Sequence, residues 1–147
     1  MRGSKAANIE SRMALDQARI QKFIAIAKKA SARAYCPYSK FRVGAAALTT
    51  AGEVYSGCNV ENASYGLTIC AERNAVFRMV AAGGKTLAAV VIYTPTDKPT
   101  APCGACRQVI NEFGPDALII SACDGPDFLK KALSDLLPDA FGPGNLA

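Results

Sequence analysis

The hydrophobic positions of this chain recur with a helical period near its beginning. Between residues 15 and 32, the apolar side chains of Ile20, Phe23, Ile24 and Ala27 follow one another at steps of three and four. One face of an α-helix has this spacing, because 3.6 residues make one turn. The pattern therefore predicts a first amphipathic helix over residues 15–32.

The rest of the chain alternates short extended runs with helical ones. Residues 41–48 and 54–58 are separated by a tight turn at Gly52, which predicts a β-hairpin. Runs bounded by Gly and Pro then predict a helix over 70–82, a strand over 87–93, a helix over 103–113, a strand over 117–122 and a last helix over 128–137. Strands alternating with helices imply right-handed crossovers, so we expect an α/β fold, a three-layer α/β/α sandwich of mixed strand direction.

The first 14 residues differ from everything that follows. They are polar and charged, and their opening MRGS is similar to the start of an expression vector, so we expect a disordered lead over 1–14 and one domain over 15–147. The longest apolar stretch, residues 88–93, is far too short to span a bilayer. These features predict a cytoplasmic protein without a membrane partner.

The amino-acid composition excludes several kinds of catalytic and metal-binding site. The 147 residues include no histidine, which excludes Ser-His and Cys-His nucleophile pairs and every zinc site that needs imidazole. The net charge is +5, but Lys and Arg are spread along the chain without a run of three, so we expect no nucleic-acid partner. Six cysteines in a chain without an export signal favour metal binding over disulfides.

Three of the cysteines have the spacing of a metal site. Cys103 and Cys106 lie three residues apart in the first turn of a predicted helix, and Cys70 begins the preceding one. The positive ends of both helices favour the thiolates that zinc requires. Glu72 follows Cys70 within one helical turn, where a carboxylate can accept a proton from water on the metal. A closed structural site would need a fourth ligand, for which Cys36, Cys58 and Cys123 are candidates, although core packing explains these three better.

Five segments resemble those of the small zinc-dependent cytidine deaminases, in the same order. They are CPYSKFRVGAA, GCNVENASYG, CAERNA, PCGACRQV and LLPDAFGP, and they span residues 36–143. The pattern of Cys70, Glu72 and PCxxC matches the signature of zinc deaminases. The resemblance implies a mixed five-stranded sheet, a homotetramer with shared active sites, and one zinc per subunit.

The resemblance also implies the reaction and its residues. A zinc-bound hydroxide attacks C4 of cytidine or deoxycytidine in pyrimidine salvage, with Glu72 as proton shuttle and Cys70, Cys103 and Cys106 as ligands. Because three thiolates leave the zinc site with a net negative charge, a neighbouring cation should compensate by hydrogen-bonding the sulfurs. Arg73 and Arg107 are the two candidates, and the resemblance favours Arg73.

Six further residues are expected at the substrate. Asn59 and Glu61 alternate along an extended segment, so both side chains can face one sugar, and in the family these positions hold the ribose 3′-hydroxyl. The resemblance places the aromatic residues Phe41 and Phe141 against the pyrimidine ring. It places Ala63 and Tyr65 near the sugar, partly across a subunit boundary.

Three other functions compete with this interpretation. A polynucleotide deaminase shares the zinc chemistry but needs a basic channel, which the sequence does not offer. A deaminase of a nucleoside antibiotic such as blasticidin S has the same metal motifs, but the intact NVEN segment at 59–62 favours an ordinary ribose. A structural zinc module would use Glu72 only as a helix charge and would need a fourth ligand.

Overall fold

The structure is a computed structural model that describes residues 3–12 and 14–147. Within these residues the helices α1 to α5 cover Lys5–Arg12, Gln17–Ser31, Ala71–Ala81, Gly104–Phe113 and Leu133–Leu136. The strands β1 to β5 cover Gly44–Thr49, Val54–Cys58, Leu87–Tyr93, Leu118–Ala122 and Phe128–Ala132. No helix in the described part of the chain is long and apolar enough to cross a membrane.

The strands form one mixed sheet in the order β2-β1-β3-β4-β5. The pair β3 and β4 is parallel, and the other three neighbouring pairs are antiparallel. One face of the sheet packs against α1 and α2, and the other packs against α3, α4 and α5. This arrangement confirms the predicted three-layer α/β/α fold with a mixed five-stranded sheet.

The central strand β3 shows why the sheet is covered on both faces. All seven of its residues are buried, and alternate side chains serve opposite layers. Val91 packs in the same core cluster as Ile20 of α2, whereas Ile92 packs in the cluster that contains Ile110 of α4. The helix α2 itself begins after Asp16, whose side chain accepts a hydrogen bond from the backbone N–H of Arg19 at 2.8 Å.

Two expectations from the sequence were wrong. Residues 5–12 form the helix α1 rather than a disordered lead, with Ala6 buried in the core beneath the sheet. Residues 128–132 form the edge strand β5 rather than the start of a helix, which is confined to Leu133–Leu136. Met1, Arg2 and Met13, which fall in the expected lead, lie outside the described residues.

Two glycines let the helices approach the first hairpin without intervening side chains. A Cβ atom on Gly57 of β2 would lie 2.7 Å from the carbonyl oxygen of Ala71 in α3. A Cβ atom on Gly44 of β1 would overlap the carbonyl of Ala27 and lie 2.6 Å from the backbone nitrogen of Ser31. Contacts this short are impossible for a real side chain, so backbone packs directly on backbone here.

Candidate active site

Three cysteine sulfurs meet where two helices begin. Cys70 is the N-cap of α3 and Cys103 is the N-cap of α4, while Cys106 lies one turn into α4 and is fully buried. All three Sγ atoms lie within 4.8 Å of one another, and those of Cys70 and Cys103 are 3.8 Å apart. Two sulfurs bound to one tetrahedral zinc at about 2.3 Å would be about 3.8 Å apart, so the cluster fits this ion.

The surroundings of the sulfurs favour a thiolate. A hydrogen bond from Cys106, together with others from Arg73 and Cys103, lowers the pKa of Cys70 to about 5 despite partial burial. The pKa of Cys106 is raised, first by its hydrogen bond with Cys70 and then by burial. The first negative charge of the cluster therefore resides on Cys70, at the positive end of α3.

Glu72 lies beside this cluster with almost no access to solvent. Its side chain is 5% exposed, and its Oε2 atom lies 3.6 Å from the Sγ atom of Cys106, whose thiol donates to it. Burial raises the pKa of the Glu72 carboxyl. A carboxyl group with a raised pKa can both accept and return a proton near neutral pH, which is the requirement for a general acid and base.

The two candidate arginines have different partners. The guanidinium of Arg73 donates from Nη2 to the Sγ atom of Cys70 at 3.4 Å, and its pKa is raised mainly by this hydrogen bond. Arg107 instead donates from Nε to the carbonyl of Pro102 and from Nη1 to the carbonyl of Leu136, both at 2.7 Å. Its expected hydrogen bond to a sulfur is therefore not found in the described residues, and Arg107 fastens the start of α4 to the end of α5.

A pocket of about 240 Å³ opens above Glu72 and the sulfurs. Its walls come from the loop before β1, the segment after β2, the start of α3 and the loop before α4. The residues that line it are Ser39, Phe41, Val43, Asn59, Glu61, Thr68, Cys70, Ala71, Glu72, Ile92, Thr94, Thr100, Ala101 and Cys103. The structure thus brings Phe41, Asn59 and Glu61 together with Glu72, as expected for one site.

The polar residues Asn59 and Glu61 also hold the pocket wall together. The Asn59 amide accepts from the backbone N–H of Val43 at 2.9 Å and donates to the carbonyl of Phe41 at 2.8 Å. The Oε1 atom of Glu61 accepts from the backbone N–H groups of Tyr38 and Ser39, at 3.0 and 3.1 Å. The Ser39 hydroxyl also lowers the pKa of Glu61, so its carboxylate stays charged and can accept a hydroxyl proton from a ligand.

Three predicted substrate residues lie away from this pocket within one chain. Ala63 is exposed, and the Tyr65 side chain is 74% exposed with its ring 5.7 Å from that of Tyr38. The Phe141 ring is 58% exposed, although its backbone carbonyl accepts hydrogen bonds from Gln108 and Asn111 of α4. The helix α4 thus anchors the backbone of the C-terminal tail, while the Phe141 ring stays exposed.

Several polar residues of the pocket were not predicted from the sequence. Ser39, Thr68, Thr94 and Thr100 all line it. Ser39 lies two residues before Phe41 in the CPYSKF segment, so it could have been predicted from the sequence. The three threonines come close to the other pocket residues only in the folded chain, so their local sequence does not indicate them. Thr94 follows β3 directly and is buried, with its hydroxyl 2.8 Å from that of Thr96.

Comparisons with known proteins agree with this geometry. Residues 17–122 match the family model of the cytidine and deoxycytidylate deaminase zinc-binding region. The chain is similar to a cytidine deaminase of Sporosarcina psychrophila, with 45% identity over 87% of this chain and 95% of that protein. It is also similar to a cytidine deaminase of Mycobacterium tuberculosis, with 48% identity over 82% of this chain and 87% of that protein.

The fold agrees with a solved structure as well. The crystal structure of cytidine deaminase from Burkholderia pseudomallei matches with a TM-score of 0.79 and 49% sequence identity, covering 82% of this chain and 98% of that one. Both the sequence and the three-sulfur cluster therefore point to the same assignment. The chain belongs to the zinc-dependent cytidine deaminase family.

Proposed function

We propose that this protein catalyses the hydrolytic deamination of cytidine and deoxycytidine to uridine and deoxyuridine, with release of ammonia. The observation that carries this proposal is the buried Glu72 carboxyl, which lies 3.6 Å from a sulfur of the three-cysteine cluster and lines a pocket of about 240 Å³ together with Phe41, Asn59 and Glu61. A structural zinc module has no need of a buried acid beside an open pocket. Cys70, Cys103 and Cys106 hold the zinc.

Glu72 carries the protons of the reaction. Zinc, when bound, supplies Lewis acidity that makes water acidic enough to act as a nucleophile at neutral pH. Glu72 removes one proton from the attacking water and delivers it to N3 of the pyrimidine. It then delivers the second water proton to the departing amino group, so C4 keeps the oxygen and ammonia leaves. The burial that raises the pKa of Glu72 suits a group that is protonated and deprotonated in each cycle.

Arg73 balances the charge of the metal ligands. Three thiolates around a divalent ion leave one net negative charge, which opposes the loss of a proton from water. The Arg73 guanidinium lies 3.4 Å from the Cys70 sulfur and withdraws part of that charge through a charge-assisted hydrogen bond.

The polar wall of the pocket orients the nucleoside. We assign the ribose 3′-hydroxyl to Glu61 and Asn59, because both line the pocket and the Glu61 carboxylate is held in place by two backbone N–H groups. Phe41 also lines the pocket and packs against the base. A carboxylate so placed suits a free sugar and would repel the phosphates that flank a base in a polynucleotide.

The remaining substrate contacts come from neighbouring subunits of a homotetramer. Phe141 and Tyr65 carry rings that are 58% and 74% exposed, and such surface costs free energy when it stays in water. Burial of these rings against another copy, with Phe141 and the segment around Ala63 completing its pocket, would remove that cost. We place the enzyme in the cytoplasm and in pyrimidine salvage.

A direct assay tests the proposed function. The purified protein should convert cytidine and deoxycytidine to their uracil products with one equivalent of ammonia, followed by absorbance, and should contain one zinc per chain. Removal of zinc by a chelator should abolish turnover, and added zinc should restore it. A zinc-loaded protein that turns over neither nucleoside would contradict the proposal.

A further inference from the structure

We propose that the open edge of the sheet carries a second binding pocket, separate from the deaminase site, for a phosphate-bearing small molecule. This cavity, here called the edge pocket, has a volume of about 440 Å³ and lies between α2 and α3 beside β2, the edge strand. Its lining includes Lys29 from the last turn of α2, Arg33 just after that helix, Ser56 and Cys58 from β2, and Arg78 from α3.

The edge pocket holds three positive charges and no compensating negative one. Lys29, Arg33 and Arg78 are all exposed, and among the residues that the structure describes no carboxylate lines the pocket. The side chains of Lys29 and Arg33 have no hydrogen bond or ion pair with any described residue. Like charges gathered in one cavity repel one another, and a bound anion would relieve that repulsion.

The three cations are not all explained by the preference for positive charge at the carboxyl end of a helix. Cations are favoured at the carboxyl end of a helix, which is where Lys29 and Arg33 lie relative to α2. Arg78 comes instead from α3, on the opposite wall, and is held in place by hydrogen bonds from Nη1 to the carbonyl and hydroxyl oxygens of Ser56, both at 3.2 Å. The dipole of α2 does not account for this third cation.

The backbone of β2 adds hydrogen-bond donors on the same side. The carbonyls of Ser56 and Cys58 accept hydrogen bonds from Arg78 and Asn74 of α3, so both residues turn their polar backbone atoms away from β1. In an antiparallel pair, the N–H and the C=O of one residue point the same way. The N–H groups of Ser56 and Cys58 therefore also face the open edge, and sheet edges of this kind bind anions.

The remaining wall of the pocket is neutral. Burial raises the pKa of the Cys58 thiol even though Arg33 acts to lower it, so the sulfur adds no negative charge at neutral pH. Ile26 and Ala30 supply apolar surface beside the cations. A volume of about 440 Å³ is within the usual range for small-molecule sites and exceeds what one phosphate group needs. The pocket thus suits a chain of phosphates or a nucleotide.

Calorimetric titration of the zinc-loaded protein tests this proposal, with inorganic triphosphate and ATP as separate probes. We expect saturable binding of triphosphate with one site per chain. Tighter binding of ATP would identify a nucleotide as the ligand, and equal binding would identify the phosphate chain alone. The absence of saturable binding of either probe at physiological ionic strength would overturn the proposal.

A matched pair of variants separates a site from general attraction to a basic protein. The triple variant K29Q/R33Q/R78Q should bind at least tenfold more weakly, whereas K22Q/K85Q/K98Q, which loses the same charge from exposed positions outside the pocket, should change by less than twofold. Equal loss in both variants would overturn the proposal. Zinc content checks that each variant is folded, and if the triple variant fails this check, R33Q against K22Q should show at least a threefold difference.

Discussion

The Oε2 atom of Glu72 and the Sγ atom of Cys106 lie 3.6 Å apart across the boundary between α3 and α4. Neither residue could reach the other if the two helices did not begin at the same end of the sheet. The contact couples the acid that we propose as the proton carrier to a metal ligand, and both groups are almost completely buried.

Glu72→Gln should retain zinc and the fold but lower the turnover number about 10²- to 10⁴-fold, the usual loss when a general acid and base is removed. The amide has nearly the same shape but cannot accept or release the proton. Steady-state assays with cytidine and zinc analysis would measure both effects, with the exposed Glu112→Gln of α4 as the control. Turnover within about threefold of wild type would remove Glu72 from the mechanism.

The zinc should have three sulfur ligands and one oxygen ligand. The three Sγ atoms within 4.8 Å of one another provide the sulfurs, and an open fourth position is what a catalytic site requires. X-ray absorption at the zinc edge measures this shell directly. Cys103→Ser should lower the zinc content, whereas Cys123→Ser should not. A four-sulfur shell would contradict the catalytic assignment.

Replacement of Arg73 should affect zinc retention, whereas replacement of Arg107 should affect the stability of the fold. Arg73→Ala should weaken zinc retention, because it removes the hydrogen bond to the Cys70 sulfur. Arg107→Met should leave zinc retention intact but lower the free energy of unfolding by about 1–3 kcal/mol, because two carbonyl groups lose a charged donor. Competition with a chelator and thermal unfolding measure the two properties, and the reverse pattern would exchange the proposed roles.

The contribution of Phe141 to a neighbouring pocket can be tested with mixed assemblies. Phe141→Ala should raise the KM for cytidine without loss of zinc, since ring packing contributes roughly 0.5–1.5 kcal/mol. Mixing this variant with inactive Glu72→Gln subunits should return part of the activity to the wild-type KM, because the Glu72→Gln chains supply the missing ring. An unchanged KM in the mixture, or a fully active monomer in light scattering, would contradict shared sites.

Tyr93 should limit stability at high pH. Burial and the hydrogen bond to Asp124, 2.6 Å long, raise the pKa of Tyr93 to about 12 from an ordinary value of 10.0. Since the folded pKa is the higher one, the neutral tyrosine contributes its full stability below pH 10.0 and loses it as the pH rises toward about 12. Tyr93→Phe should therefore lose less stability over this interval than wild type. Thermal midpoints measured across it provide the check, and parallel curves would contradict the prediction.

Local sequence patterns were enough to predict most of the metal site, but they did not predict the edge strand β5. Cys70, Glu72 and Cys103 lie at helix starts, and short-range spacing is enough to predict such positions. The strand β5 could not be predicted this way, because it is a partly exposed edge strand without a continuous apolar run. Its identity depends on pairing with β4, with Phe128 opposite Ala122, which is not local information.

The two wrong predictions have one physical cause. The helix α1 packs beside β5, and Lys130 of that strand forms an ion pair with Glu10 of the helix. Without β5, α1 loses the strand with which it makes most of its contacts. A short polar helix that lacks tertiary packing would be unstable in water. The rings of Tyr65 and Phe141 posed a different problem, because nothing in the pattern of one chain indicates what an exposed side chain contacts.

The direct contact between the backbone of Gly57 and the backbone of α3 has a consequence for the redesign of this enzyme. Since backbone atoms of α3 lie directly against the backbone of β2 at Gly57, no side chain at that point can shrink or reorient to absorb a change. A single methyl group added at Gly57 would push the whole helix outward, and the metal ligand and the acid at its start would move with it. Libraries that vary the lining of the active-site pocket but keep Cys70, Glu72 and Cys103 can leave the chemistry intact. One added methyl group at Gly57, where α3 meets β2, can abolish it without changing any residue that lines the active-site pocket.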